Sequence, residues 1–161
     1  FVVDSNFFIQ AHRSVYPLDV VPSFWNKIKE LAANGTIISL DKVKDEIYKN
    51  DDELKAWCTE NLPPDFFEKS APLISAYRRV IIWAMSKKEQ YHQRALDEFL
   101  AADEADAWLI AYCLEHNITL ITHERSSPNS RKKIKIPDAC ISFKVDYMDT
   151  IAMFRVLKEV F

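Results

Sequence analysis

The stretch DEADAWLIAYCLEHNITLITHE, residues 103–124, decides how the chain folds. Its acids suit a helix N-terminus, and Trp108, Ile110, Ala111 and Leu114 carry an apolar pattern through a helix read over residues 103–117. That helix feeds Ile118-Thr119-Leu120-Ile121-Thr122, a β-branched run that reads as a strand. The same alternation recurs outward in both directions. Phe1-Val2-Val3 reads as the first strand. Residues 21–34 form a helix with Phe24, Ile28 and Leu31 at helical spacing, and Asn34-Gly35 stops it before the strand Thr36-Ile37-Ile38-Ser39-Leu40. Asp41 then reads as the N-cap of a helix carrying Val43, Glu46 and Ile47. Residues 51–102 are helical in character throughout, broken once at Pro63-Pro64. Residues 123–133 read as a polar loop, Ile134-Lys135-Ile136 as a short edge strand stopped by Pro137, and Asp149 as the opening of a last amphipathic helix. Strands alternating with helices predict an α/β fold with a parallel sheet. The expectation is a single domain over residues 1–161, with a helical subregion at about 51–102.

Composition narrows the function. With 161 residues, 48% of them hydrophobic, the chain can bury a substantial core. A net charge of -3 gives no overall positive field to gather nucleic acid, so any such contact must be local. Cys58, Cys113 and Cys140 form no C-x-x-C pair, which fits a reducing compartment, and no apolar run approaches the roughly 20 residues of a membrane span. A cytoplasmic protein with no membrane association is expected. Only one glycine occurs, Gly35, and phosphate-cradling loops need several. P-loop and dinucleotide-binding readings are excluded.

In a parallel sheet with right-handed crossovers, ligands gather beyond the carboxyl ends of the strands. Asp4 directly follows the first strand and sits at that edge. Glu46 lies one to two turns into the helix that starts there after the second strand. The helix over 103–117 runs antiparallel to its strand, which returns Asp106 to the same edge, and Glu124 stands two residues past that strand. Four carboxylates from separated segments therefore converge. Such a cluster is costly, because like charges at close range repel and raise one another's pKa, and a divalent cation relieves it. Oxygen ligands favour Mg²⁺ or Mn²⁺, while the four histidines and the cysteines show no zinc-ligand spacing. Asp4, Asp106 and Glu124 are the expected metal ligands. An ion so held can polarise a phosphate and activate water, which amounts to phosphodiester hydrolysis with Asp4, Glu46, Asp106 and Glu124 as the catalytic set.

The residues then resemble a known family. Phe1-Val2-Val3-Asp4-Ser5-Asn6, Val43-Lys44-Asp45-Glu46-Ile47, Asp106-Ala107-Trp108-Leu109-Ile110-Ala111 and Leu120-Ile121-Thr122-His123-Glu124 are similar, in order and spacing, to the four motifs of the PIN-like domain family. Its members are metal-dependent nucleases that include the ribonuclease toxins of type II toxin–antitoxin pairs. Residues 41–57, 102–112 and 134–140 look like an uncharacterised bacterial branch of it. The resemblance implies a three-layer α/β fold with an open, mostly parallel sheet of about five strands flanked by helices. It also implies RNA as substrate, an antitoxin protein as partner, and a homodimer. One departure is Glu124, where the family mostly has Asp; the longer side chain can move the carboxylate to an outer shell.

Other residues have expected supporting parts. Ser5 and Asn6 would orient Asp4 or touch phosphate, with Asp103 and Thr122 as further accessory residues. Arg131, Lys132, Lys133 and Lys135, just beyond Glu124, are candidate RNA-phosphate contacts. Tyr77, Ile81, Ile82 and Met85, set among Arg78, Arg79, Lys87 and Lys88, form a candidate surface for a dimer or antitoxin. The alternative function is a catalytically inactive PIN-like module that binds RNA or protein. A phosphatase with Asp4 as nucleophile would want a second acid where Asn6 stands.

Overall fold

The computed structural model describes residues 1–160. From the amino end the chain runs β1 (Val2–Val3), α1 (Ser5–Gln10), a π-helical turn (Ala11–Val15), α2 (Pro22–Ala33), β2 (Ser39–Leu40), α3 (Asp41–Tyr48), α4 (Glu53–Asn61) and β3 (Phe67–Glu68). It continues through a 3₁₀ turn (Ala71–Leu73), α5 (Ile74–Ser86), α6 (Gln93–Leu100), α7 (Asp106–His116), β4 (Leu120–Ile121), α8 (Ile136–Phe143), β5 (Tyr147–Met148) and α9 (Thr150–Leu157).

Every strand pairing is parallel, as the alternation of helices and strands predicts. β1, β4 and β5 form a sheet in the order β1-β4-β5, and β2 pairs with β3. An isolated parallel bridge from Val2 to Ile38, the residue before β2, brings the two sheets together. Val2 and Val3 are both fully buried, as are Leu120 and Ile121. Neighbouring residues of a strand point to opposite faces, so helices cover the sheet on both sides. α7 packs against β2 and β4 and is itself enclosed by α5, α6 and α8. That placement explains why Ala107 to Cys113 are buried without interruption, a helix apolar all round being a core helix. A second part of the core is aromatic: ring contacts run from Phe66 to Phe8 (5.9 Å), Phe7 (5.1 Å), Phe24 (6.4 Å), Trp25 (5.3 Å) and Trp57 (4.7 Å).

Helix ends follow local chemistry. Asp52 and Asp149 cap α4 and α9 through hydrogen bonds from the N–H groups of Lys55 and Ala152. Gly35 after α2 has φ +67°, and Asn117 closes α7 in the left-handed conformation that asparagine tolerates.

Several expectations are corrected. Ile134-Lys135-Ile136 is not an edge strand: Lys135 is the N-cap of α8 and Pro137 sits in its first turn, where its missing N–H costs nothing. The region 51–102 is not wholly helical, because β3 interrupts it. Asp41 is the first residue of α3 rather than its cap; Leu40 occupies the cap, and Asp41 Oδ1 instead accepts from the N–H of Ser70 at 3.2 Å. α7 starts at Asp106, leaving Asp103 in the preceding turn. Among the described residues no helix is long and apolar enough to cross a membrane. The three cysteines are buried free thiols.

Candidate metal centre

Asp4 is the fixed point of the site. It extends the β1–β4 ladder by donating its N–H to Ile121 O at 3.2 Å, and it caps α1 through Oδ1, which accepts from Phe7 N at 2.9 Å. Its other oxygen, Oδ2, accepts from the Thr122 hydroxyl at 2.7 Å. Only 2% of Asp4 is exposed, and burial pushes its carboxyl up to about 7. The Thr122 and Phe7 hydrogen bonds pull against that rise, while the charges of Glu124 and Glu46 add to it.

Asp106 is the first residue of α7 and borders a cleft of about 280 Å³ that Ser5, Asn6, Glu46, Glu98 and Lys133 also line. Among the described residues its carboxylate accepts no hydrogen bond. Burial first, then the charges of Glu124, Glu46 and Asp4, raise it to about 7 against the opposing charge of Lys133. The charges of Glu46 and Glu124 thus bear on both Asp4 and Asp106.

Glu46 and Glu124 are tied down. Glu46 Oε1 accepts from the Ala105 N–H at 3.0 Å, linking α3 to the start of α7. Glu124 Oε2 accepts from Ile136 N at 2.8 Å, and its Oε1 lies 3.1 Å from both Lys133 Nζ and Lys135 Nζ. Burial would raise Glu124, but the Ile136 N–H and the two ammonium groups outweigh it and hold the carboxyl below its ordinary range. Thr122 joins two of these acids, since its hydroxyl donates to Asp4 and accepts from Glu124 N at 3.1 Å. Thr122→Val keeps the shape and removes both bonds. It is expected to cost about 1–3 kcal/mol in urea unfolding at pH 7, and an unchanged midpoint would show that Thr122 is only filling space.

The other expected site residues separate into two groups. Ser5 and Asn6 line the cleft, whereas Thr122, itself buried, borders a separate pocket with His123 and Glu124. Asp103 is exposed outside the cleft, whose border at that point is Glu104. Arg131 and Lys132 are exposed, whereas Lys133 and Lys135 are engaged with Glu124. Ser126 and Ser127 do not face the acids: the Ser126 hydroxyl and Ser127 N–H donate to Asp138, at 2.5 and 3.1 Å, which fixes the loop after Glu124. His123 Nε2 pairs with Thr150 Oγ1 at 2.9 Å, and burial lowers its pKa. On the candidate docking surface Tyr77 turns inward, stacking on Trp108 at 3.7 Å, while Ile82 and Met85 remain exposed.

Sequence reasoning missed Glu98, Glu104 and Lys49, which also line the cleft. Glu98 lies on α6 of a segment without motif, and nothing in the one-dimensional pattern says that α6 folds back over α7.

The donors present are carboxylates, two of them destabilised in their charged form, and that chemistry fits a hard divalent cation. Among the described residues, however, no three acidic, histidine or cysteine side chains already enclose a common point. Glu46 and Glu124 face protein donors instead.

An α/β architecture with acids gathered at the carboxyl edge of a parallel sheet is thus the class that fold and site define. Along residues 1–161 the chain matches the family described as a domain of unknown function, DUF4411, and it belongs to that family. No curated protein and no solved structure matches it.

Proposed function

We propose that this chain is a divalent-metal-dependent endoribonuclease with a PIN-like three-layer fold, acting as the toxin of a toxin–antitoxin pair. The observation that carries this reading is that Asp4 and Asp106, at the carboxyl edge of the sheet, are each pushed up to about 7 by burial and by the charges of Glu124 and Glu46. The resemblance of four motifs in family order supports it, as does the parallel arrangement of the strands. The antitoxin partner and the homodimer follow from that resemblance, and the cytoplasmic setting from the cysteine pattern and the absence of a long apolar run.

Asp4 and Asp106 would hold Mg²⁺ or Mn²⁺, with Glu124 as a further or outer ligand. When bound, such an ion supplies Lewis-acid polarisation of a phosphate and a water of lowered pKa. The chain's own residues do the rest. Phe7 N–H and the Thr122 hydroxyl fix the Asp4 carboxylate so that it needs no reorganisation. The Ala105 bond sets Glu46 against the start of α7. Ser5 and Asn6 line the cleft with hydrogen-bonding groups for phosphate or sugar, and Arg131 and Lys132 offer exposed charge for the flanking backbone.

The test is cleavage of single-stranded and transfer RNA with Mn²⁺ or Mg²⁺. Asp4→Asn preserves the α1 cap, because asparagine also accepts from Phe7 N, and is expected to lower the rate by at least about 100-fold. Cleavage undiminished in Asp4→Asn would end the assignment.

One observation favours a second reading, an inactive PIN-like binding module. Glu124 already has three protein donors, which leaves it little to offer an ion. Under that reading RNA is bound without being cut, and added Mn²⁺ leaves the melting temperature unchanged.

A further inference from the structure

The cleft beside Asp106 carries a cation of its own. Lys133 Nζ lies 3.1 Å from Glu124 Oε1, and its ammonium is held by the charges of Asp106, Glu124 and Glu98. Lysine ordinarily keeps its head group in water, and withdrawing that charge is costly unless acids compensate it. Here they come from three separate elements: α6, the start of α7, and the loop after β4. Lys135 reaches the same Glu124 oxygen at 3.1 Å, but the charges that act on Asp106 are those of Glu124, Lys133, Glu46 and Asp4. Of the two lysines, Lys133 is therefore the one that both pairs with Glu124 and lines the cleft beside Asp106.

We propose that Lys133 holds the place of the divalent cation when no ion is bound, so that ammonium and ion compete for Asp106 and Glu124. The inference rests on the metal-centre reading of the same residues. The geometry suits an exchange. The backbone at this point is fixed, since Ile134 is buried and the Glu124 carboxylate holds Ile136 N. The side chain itself lines the cleft with 41% of its surface exposed, so a rotation of its flexible stem carries the ammonium outward. An arriving ion brings two charges where one left, and Asp106, which has no hydrogen bond to surrender, is free to meet it. Lys133 then stands at the cleft wall, released from Glu124 and available to a phosphate.

The experiment is calorimetric titration of Mn²⁺ into the full chain, comparing the unaltered protein with Lys133→Met, Lys133→Gln and Lys135→Met, with melting measured in chelator and in excess Mn²⁺. Removing a competitor should tighten Mn²⁺ binding about tenfold in both Lys133 variants, and by less in Lys135→Met. The Lys133 variants should also melt lower than the unaltered protein in chelator and recover in Mn²⁺. A structural lysine would give the loss of stability without the gain in affinity. Mn²⁺ binding in the unaltered protein with no gain, or a loss, in both folded Lys133 variants would overturn the exchange while leaving the metal centre standing. No Mn²⁺ binding by any of the four proteins overturns both.

Discussion

Asp106→Asn is expected to abolish ion-dependent RNA cleavage, by at least about 100-fold, while making the ion-free protein more stable at pH 8. The two effects have one origin. At pH 8 the Asp106 carboxyl, raised to about 7, is ionised among Glu124, Glu46 and Asp4, with Lys133 as its only opposing neighbour of note. Asparagine keeps the volume at the first position of α7 and removes the repelled charge. The expected gain is about 1–2 kcal/mol, which for a chain of this size is about 2–8 °C in melting temperature. Single-turnover cleavage of a labelled RNA with Mn²⁺, alongside melting in chelator, measures both. An active variant, or one that melts lower in chelator at pH 8, would show that Asp106 serves packing rather than the ion.

The second large effect is the response of stability to pH and to the ion. Asp4 and Asp106 have folded values of about 7 against an ordinary 3.8. Between those values the folded chain keeps protons that the unfolded chain has released, so stability falls as pH rises from about 4 to about 7 and then levels. Mn²⁺ reverses the trend, because it binds the ionised forms. At 100 times its dissociation constant an ion adds about 2.7 kcal/mol, or about 5–10 °C, and this gain should appear at pH 8 and largely vanish at pH 5.5. Differential scanning fluorimetry at the two pH values, with chelator or Mn²⁺, decides it. Equal shifts at both would mean that the ion binds somewhere other than these carboxylates.

The parallel α/β arrangement and the sheet edge at which the acids lie were legible in the sequence, and some of the elements between them were not. Asp4 stood out because an acid directly after a buried Val2-Val3 has few structural reasons to be there, and crossover geometry alone returned Asp106 to the same edge. The weaker readings share a cause. β1, β2 and β4 sit inside longer runs of β-branched and aliphatic residues that mark them, whereas β3 and β5 have no such run around them, and Phe67-Glu68 gains its place only by pairing against Ser39-Leu40 across the helices between them. Ile134-Lys135-Ile136 alternates like a strand, yet Pro137 marks a helix start, and the two signals differ only in which side of the proline is read. In the sequence, Arg131, Lys132, Lys133 and Lys135 read alike, as candidate phosphate contacts. That Lys133 and Lys135 are committed to Glu124 while Arg131 and Lys132 are not depends on the turn into α8, which no spacing rule reveals.

The hydrogen bond from Thr122 to Asp4 spans 118 positions, and β1 has no partner on one side until β4 arrives. During synthesis, then, a chain that has emerged only as far as α6 displays Asp4 and Glu46 without Asp106, Thr122 or Glu124. Long-range pairing of this kind closes late, because its loop entropy must be met before its contacts form. On the ribonuclease reading proposed above, a nascent chain would therefore lack the acids that cleavage needs, and competence would arrive only when residues 106–124 have folded against β1.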